Sequence, residues 1–150
     1  MTDVLIYESG NGGDMYLKNG DIEMTDGLFN QPYLAHFGGN TQANTTGEEV
    51  EGTERFDWWG NALLFAVPEA QMNSNVERAL NENALSSFGR GEIERQANRD
   101  LEFLSELGEV SSQVTIIGND KVKISDKIQQ TVKSFIWDAT KKEVIKEITI

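Results

Sequence analysis

Twenty-five carboxylates, thirteen bases, one histidine and no cysteine bound the chemistry open to this chain. Nucleophilic catalysis of the Ser-His-Asp or Cys-His kind would have to run through His36, and no Gly-x-Ser-x-Gly elbow accompanies it. His36 sits among Leu34, Ala35 and Phe37, neighbours that point to a hydrogen-bonded structural histidine. One histidine without thiolates leaves only carboxylate metal sites. Glu8, Asn11 and Asp14 offer oxygens, but at a spacing that no EF-hand uses, so a solvated turn is expected and no metal. Glu54 and Asp57 can be nominated as a glycosidase pair. In so acidic a chain some pair always qualifies, and such a pairing carries no weight without geometry. Gly10-Asn11-Gly12-Gly13 lacks the Lys-Ser/Thr ending of a phosphate-cradling loop, so no cofactor is expected. What remains is aromatic and apolar matter, the material of a chain that binds other proteins.

The elements that would hold these groups follow from periodicity. The organising stretch is Ser74 to Gly108. Ser74 and Glu77 have capping-box spacing, and Val76, Ala79, Leu80, Ala84, Leu85 and Phe88 recur on one helical face. Gly89 and Gly91 predict its stop. A second helix carries Ile93, Ala97, Leu101, Leu104 and Leu107, ended by Gly108. Ahead of them, Met15, Leu17, Ile22 and Met24 alternate about Asn19-Gly20, a hairpin signal because both residues accept positive φ. Val4 to Tyr7 suits a strand, and Thr25-Asp26-Gly27 a turn. Pro32 belongs in a helix's first turn, which predicts a short helix from about Pro32 to Phe37, stopped by Gly38-Gly39. Residues 40–52 show no period and read as a long exposed loop. After the helices, strands are predicted around Val114 to Ile117, Val122 to Ile124, Val132 to Trp137 and Val144 to Ile150. The last two form a hairpin over residues 131–150.

The fold class expected is therefore α+β: an N-terminal hairpin and two central amphipathic helices packed on a C-terminal antiparallel sheet, in one domain over 1–150. A formal charge of −12 disfavours nucleic acid and anionic membranes as partners. Residues 1–60 hold eleven acids and two bases, while 111–150 hold five acids and seven bases. Such asymmetry suits complementary contacts with neighbours, or means only a solvated surface. No run reaches bilayer length, and Met1-Thr2-Asp3 begins no signal peptide, so the cytoplasm is the expected place of synthesis.

In order, Asn19-Gly20-Asp21-Ile22, Thr25-Asp26-Gly27-Leu28 and Phe56-Asp57-Trp58-Trp59-Gly60-Asn61, followed by two helices and a run of strands, resemble the small baseplate protein of Mu-like contractile phages. That family is similar in turn to the sheath-initiator wedge proteins of other contractile tails. The likeness runs roughly from Asp14 to Ile124. Asn61 stands where the family has aspartate, Gly38-Gly39-Asn40 replaces an arginine-rich turn, and the 40–52 loop and the tail after Lys127 are additions. The resemblance implies a non-enzymatic virion subunit of the tail baseplate, assembled in the host cytoplasm. Its partners would be other wedge subunits, the tail sheath and the tail tube.

Two mechanisms suit that role. The strand ending in Val144, Lys146, Ile148 and Ile150 is free of proline and could accept a partner strand, with Lys141, Lys142 and Lys146 guarding the edge. Neighbouring residues of a strand point to opposite sides, so of Trp58 and Trp59 one packs the core and the other can anchor a partner. The competing reading is a small hydrolase or carbohydrate-active domain built on carboxylates; a deep cleft holding two of them with raised pKa would favour it.

Overall fold

The computed structural model describes residues 2–8, 13–39, 67 and 72–149. Trp58, Trp59, Glu54, Asp57, Ile150 and the 40–52 loop lie outside them. The described residues form an α+β arrangement with a four-stranded antiparallel sheet at the C-terminal end.

The N-terminal part is built from six short strands: β1 (Thr2–Val4), β2 (Ile6–Glu8), β3 (Gly13–Met15), β4 (Leu17–Lys18), β5 (Asp21–Ile22) and β6 (Met24–Asp26). They pair as three antiparallel ribbons, β1 with β6, β2 with β3, and β4 with β5. The ribbons meet at Leu5, Tyr16 and Glu23, where Leu5 donates to Glu23, Glu23 to Tyr16 and Tyr16 to Leu5, each at 2.9 Å. This closed ring of amide bonds satisfies the backbone where three ladders end. Asn19 and Gly20 both have positive φ, 54° and 84°, as the Asn-Gly signal requires. Yet Met15, Leu17, Ile22 and Met24 are exposed, so the alternation that marks this hairpin faces no core.

Asp26 caps the 3-10 turn Gly27–Phe29 by accepting from the Leu28 amide. Helix α1 (Gln31–Phe37) follows with proline in its first turn and Gly38 at its C-cap. Asn30 ties this corner to the ribbons. Its carboxamide accepts from the Ile6 amide at 3.0 Å and donates to the Val4 carbonyl at 2.7 Å.

The two central helices are α2 (Val76–Glu82) and α3 (Ser87–Asp100), the latter continued by a 3-10 segment, Glu102–Leu107. Their boundary corrects the sequence expectation. The first helix stops at Glu82, and Gly89 and Gly91 lie inside the second. Ser86 is the reason: its hydroxyl accepts from the Gly89 amide at 3.2 Å and starts a new helix there. Glycine at 89 permits this entry, since a Cβ would run into the Ala84 carbonyl oxygen. Phe88, expected on the buried stripe, is 82% exposed. The capping box is half realised. The Glu77 amide donates to Ser74 Oγ at 3.2 Å, but the Ser74 amide donates to the Gly39 carbonyl at 2.7 Å. Asp100 supplies the remaining cap from α3, accepting from the Asn75 and Val76 amides at 3.0 and 2.9 Å.

The sheet runs β7 (Val110–Ile117), β8 (Lys121–Ile128), β9 (Thr131–Asp138) and β10 (Glu143–Thr149), in spatial order β10-β9-β8-β7. Alternation puts Val114, Val122, Ile124, Phe135, Trp137 and Val144 on one face, against Val76, Leu80, Ile93, Ala97 and Tyr33. Phe37 stacks on Trp137 with ring planes 6° apart. Strict alternation, expected through the last strand, fails. The register slips between Val144 and Lys146, so Ile145 forms a bulge. Val144 and Glu147, three apart, are both buried, while Lys146 is exposed.

Candidate functional site

The two margins of the sheet differ. Antiparallel pairing points the Ser112 and Val114 backbone away from β8, and α3 meets it there. Asn98 accepts from the Ser112 amide and donates to the Ser112 carbonyl, both at 2.9 Å. Glu94 accepts from the Val114 amide at 2.9 Å, and Arg90 holds Glu94 at 3.0 Å. Residues 90, 94 and 98 are four apart on the helix, a rise of about 6 Å, while 112 and 114 span about 6.8 Å of strand. The two periods match closely enough for a helix stripe to stand in for a fifth strand.

On the opposite margin β10 has no ladder partner among the described residues. The register with β9 directs Lys146 and Ile148 inward to their partners Ile136 and Ser134, which leaves the amides of Glu147 and Thr149 on the outer side. The neighbour there is β2, joined through a side chain: the Glu8 amide donates to Glu147 Oε2 at 3.1 Å. The bulge and the exposed Lys146 are features that restrain uncontrolled strand pairing.

Of the residues expected to bind partners, Val144 gives its side chain to the core, Lys146 is exposed and Ile148 is half-buried. The structure brings these three together on one edge strand, while Trp58, Trp59 and Ile150 are outside the described residues. Among the described residues, exposed rings are found at Tyr16, Phe88 and Phe103.

The sequence reading missed a buried polar cluster behind the sheet. Lys133 pairs with Glu147 at 2.7 Å, both almost fully buried, and donates to the Phe29 carbonyl at 2.5 Å. Tyr33 donates to Glu8 at 2.9 Å. His36 lies between Asp126, 3.0 Å from Nε2, and Asp100, 3.7 Å from Nδ1. Burial alone would lower the imidazole pKa, but the nearby charges of Asp126 and Asp100 and the hydrogen bond to Asp126 outweigh it and raise it to about 9. Both carboxylates favour the charged imidazole, and His36 on α1 is hydrogen-bonded to Asp126 on β8 and faces Asp100 on α3. A signal for this cluster existed. Asp126 falls in phase with Val122, Ile124 and Ile128, and Lys133 in phase with Phe135 and Trp137, so polar groups stood at core positions of alternating strands.

Two cavities flank the histidine, one reaching Asp126 and the other Asp100. Glu77, whose carboxyl burial pushes up to about 7, lines neither. Asp14 is exposed and accepts from the Met15 amide, while Glu8 is buried, so those two do not converge. Among the described residues no three His, Asp or Glu side chains are grouped to hold a metal, and no helix is long and apolar enough to cross a membrane. No family model, curated protein or solved structure matches the chain.

Proposed function

We propose that this chain is a structural subunit of a contractile phage tail baseplate. It would be the sheath initiator, linking the wedge and tube to the first sheath ring by strand addition. The observation that carries the reading is the difference between the margins: α3 occupies the outer backbone of β7, and β10 has no ladder partner. An edge strand in that state, with β2 beside it joined through the Glu147 side chain rather than through a ladder, offers the outward amides that β-augmentation needs. The ordered motifs around Asn19-Gly20, Asp26-Gly27 and Trp58-Trp59 support the same assignment. In it the protein acts without catalysis or cofactor, on sheath, tube and wedge partners, within the virion.

The test uses Thr149→Pro. This removes one outward amide at an exposed strand end and leaves the pairing with β9 untouched. Co-expressed with the sheath and wedge subunits of the same genome, the wild-type chain should nucleate sheath rings visible by electron microscopy. Thr149→Pro should fold with a Tm within a few degrees of wild type and fail to nucleate. A stable Thr149→Pro protein that nucleates as well as wild type would remove strand addition from the mechanism.

A further inference from the structure

The apolar side of the N-terminal ribbons is uncovered. Leu17 pairs with Ile22 across β4 and β5. Met15 and Met24 lie two residues away along the chain, so all four share one face. They are between 41% and 64% exposed. A contiguous apolar patch left in water marks an interaction surface. Alternation turns the exposed Asp14 and Asp21 to the other side of a ribbon one layer thick. They accept from the Met15 and Ile22 amides at 2.7 and 2.8 Å, and neither has a cation among the described residues. Lys18, the one base of these ribbons, is held by Glu23 at 3.3 Å. The patch is therefore apolar with an acidic border.

The sheet carries the complement. Val122, Ile124, Phe135 and Trp137 face the helices, which turns Lys123 and Ile136 to the outer side. Ile136 pairs with Lys123 on one neighbouring strand and with Lys146 on the other. Two ammonium groups thus flank one half-buried isoleucine, on strands about 10 Å apart. Lys121, Lys127 and Lys141 each have a carboxylate partner, whereas Lys123 and Lys146 have none among the described residues. In a chain of net charge −12 this face is a local reversal of sign.

We infer that the ribbon face of one copy docks on the outer sheet face of a second copy. Leu17 and Ile22 would cover Ile136, with Asp14 and Asp21 drawn to Lys123 and Lys146. Within one copy, the Glu8–Glu147 and Phe29–Lys133 contacts hold the ribbons at the β10 margin and on the core side. The two faces therefore meet only between copies. The contact joins unlike surfaces, so it repeats from copy to copy into a ring or a filament. It does not depend on the baseplate assignment.

Sedimentation velocity of the intact chain tests the contact at physiological salt, where a Debye length of about 8 Å mutes the repulsion between net charges. The sedimentation coefficient should rise with concentration. Lys123→Glu with Lys146→Glu, and separately Asp14→Lys with Asp21→Lys, should each keep the wild-type Tm and weaken association by roughly tenfold or more, since like charges then face each other. An equimolar mixture of the two double variants should associate again, because every ribbon then finds a sheet of opposite sign. Should either double variant not fold, Leu17→Glu on the exposed ribbon should keep its Tm and stay monomeric. Thr149→Pro should associate as the wild type does. A wild-type chain monomeric at every concentration, folded charge variants or a Leu17→Glu chain that associate as wild type, or a mixture that stays monomeric would each overturn the docking. Loss of association in Thr149→Pro would also overturn it and assign self-association to strand pairing at β10.

Discussion

Two buried titratable residues make stability a function of pH. Glu77 belongs to the first turn of α2, and its Oε2 has no partner. Burial raises its pKa from 4.5 to about 7, so the folded chain retains a proton that the unfolded chain releases. The stability gained by keeping that proton is complete below about pH 4.5 and disappears as pH climbs through 7. His36 follows the same sign at higher pH: its pKa rises from 6.5 to about 9. Its contribution is complete below 6.5 and is lost through 9. Denaturant midpoints should therefore decline from mildly acidic to alkaline pH. Glu77→Gln should flatten the lower part of that decline and raise stability near pH 8 by about 3 kcal/mol, since each unit between 4.5 and about 7 is worth roughly 1.4 kcal/mol. His36→Gln should lower stability at pH 6 by about 3–5 kcal/mol, because Asp100 and Asp126 then lose their shared cation. Urea titrations at pH 5, 7 and 9 decide both; a Glu77→Gln protein less stable than wild type at pH 8 would mean that the carboxylate has a favourable partner.

Among the elements, local chemistry was legible where it acts over a few residues. Asn19-Gly20 dictated its turn, Pro32 opened α1, and β7 and β8 followed their alternation. The break between α2 and α3 was harder, because Ala84, Leu85 and Phe88 continue the apolar period while Ser86 ends it by capping. The bulge at Ile145 has no local mark at all. The seal on β7 was written in the spacing of Arg90, Glu94 and Asn98, but such a stripe looks like an ordinary solvated face until its strand is known. It makes a clear prediction. Asn98→Leu removes the partners of the Ser112 amide and carbonyl together, at a cost of about 1–3 kcal/mol. It also bares a second edge, so light scattering should show concentration-dependent association beyond that of the wild type. A variant with unchanged denaturation and no added association would reduce the Asn98 contacts to decoration.

The whole molecule is closed by contacts between the ends of the described chain. Glu8 reaches Glu147 across 139 positions and Phe29 reaches Lys133 across 104. No periodicity encodes such pairs, and the C-terminal strand carries Val144 and Glu147 into the buried interior. Removing residues 142–150 should accordingly unfold the N-terminal ribbons as well as the sheet, and far-UV and near-UV signals should be lost together. Closing loops this long before any buried contact forms also predicts slow folding for a chain of this size. The sharper experiment concerns the ion pair itself. Lys133 and Glu147 lie within 2.7 Å and are nearly inaccessible to water, so desolvation offsets much of their attraction. Lys133→Met or Glu147→Leu alone strands a buried charge and should cost about 3–5 kcal/mol. The double variant should recover most of that loss, because no lone charge remains, although the Glu8 amide and the Phe29 carbonyl each still lose a partner. If the double variant is as unstable as the sum of the singles, the pair is independent of its burial and the two ends are held by packing. If it recovers, the cluster behind β10 fixes how the ribbons sit on the sheet.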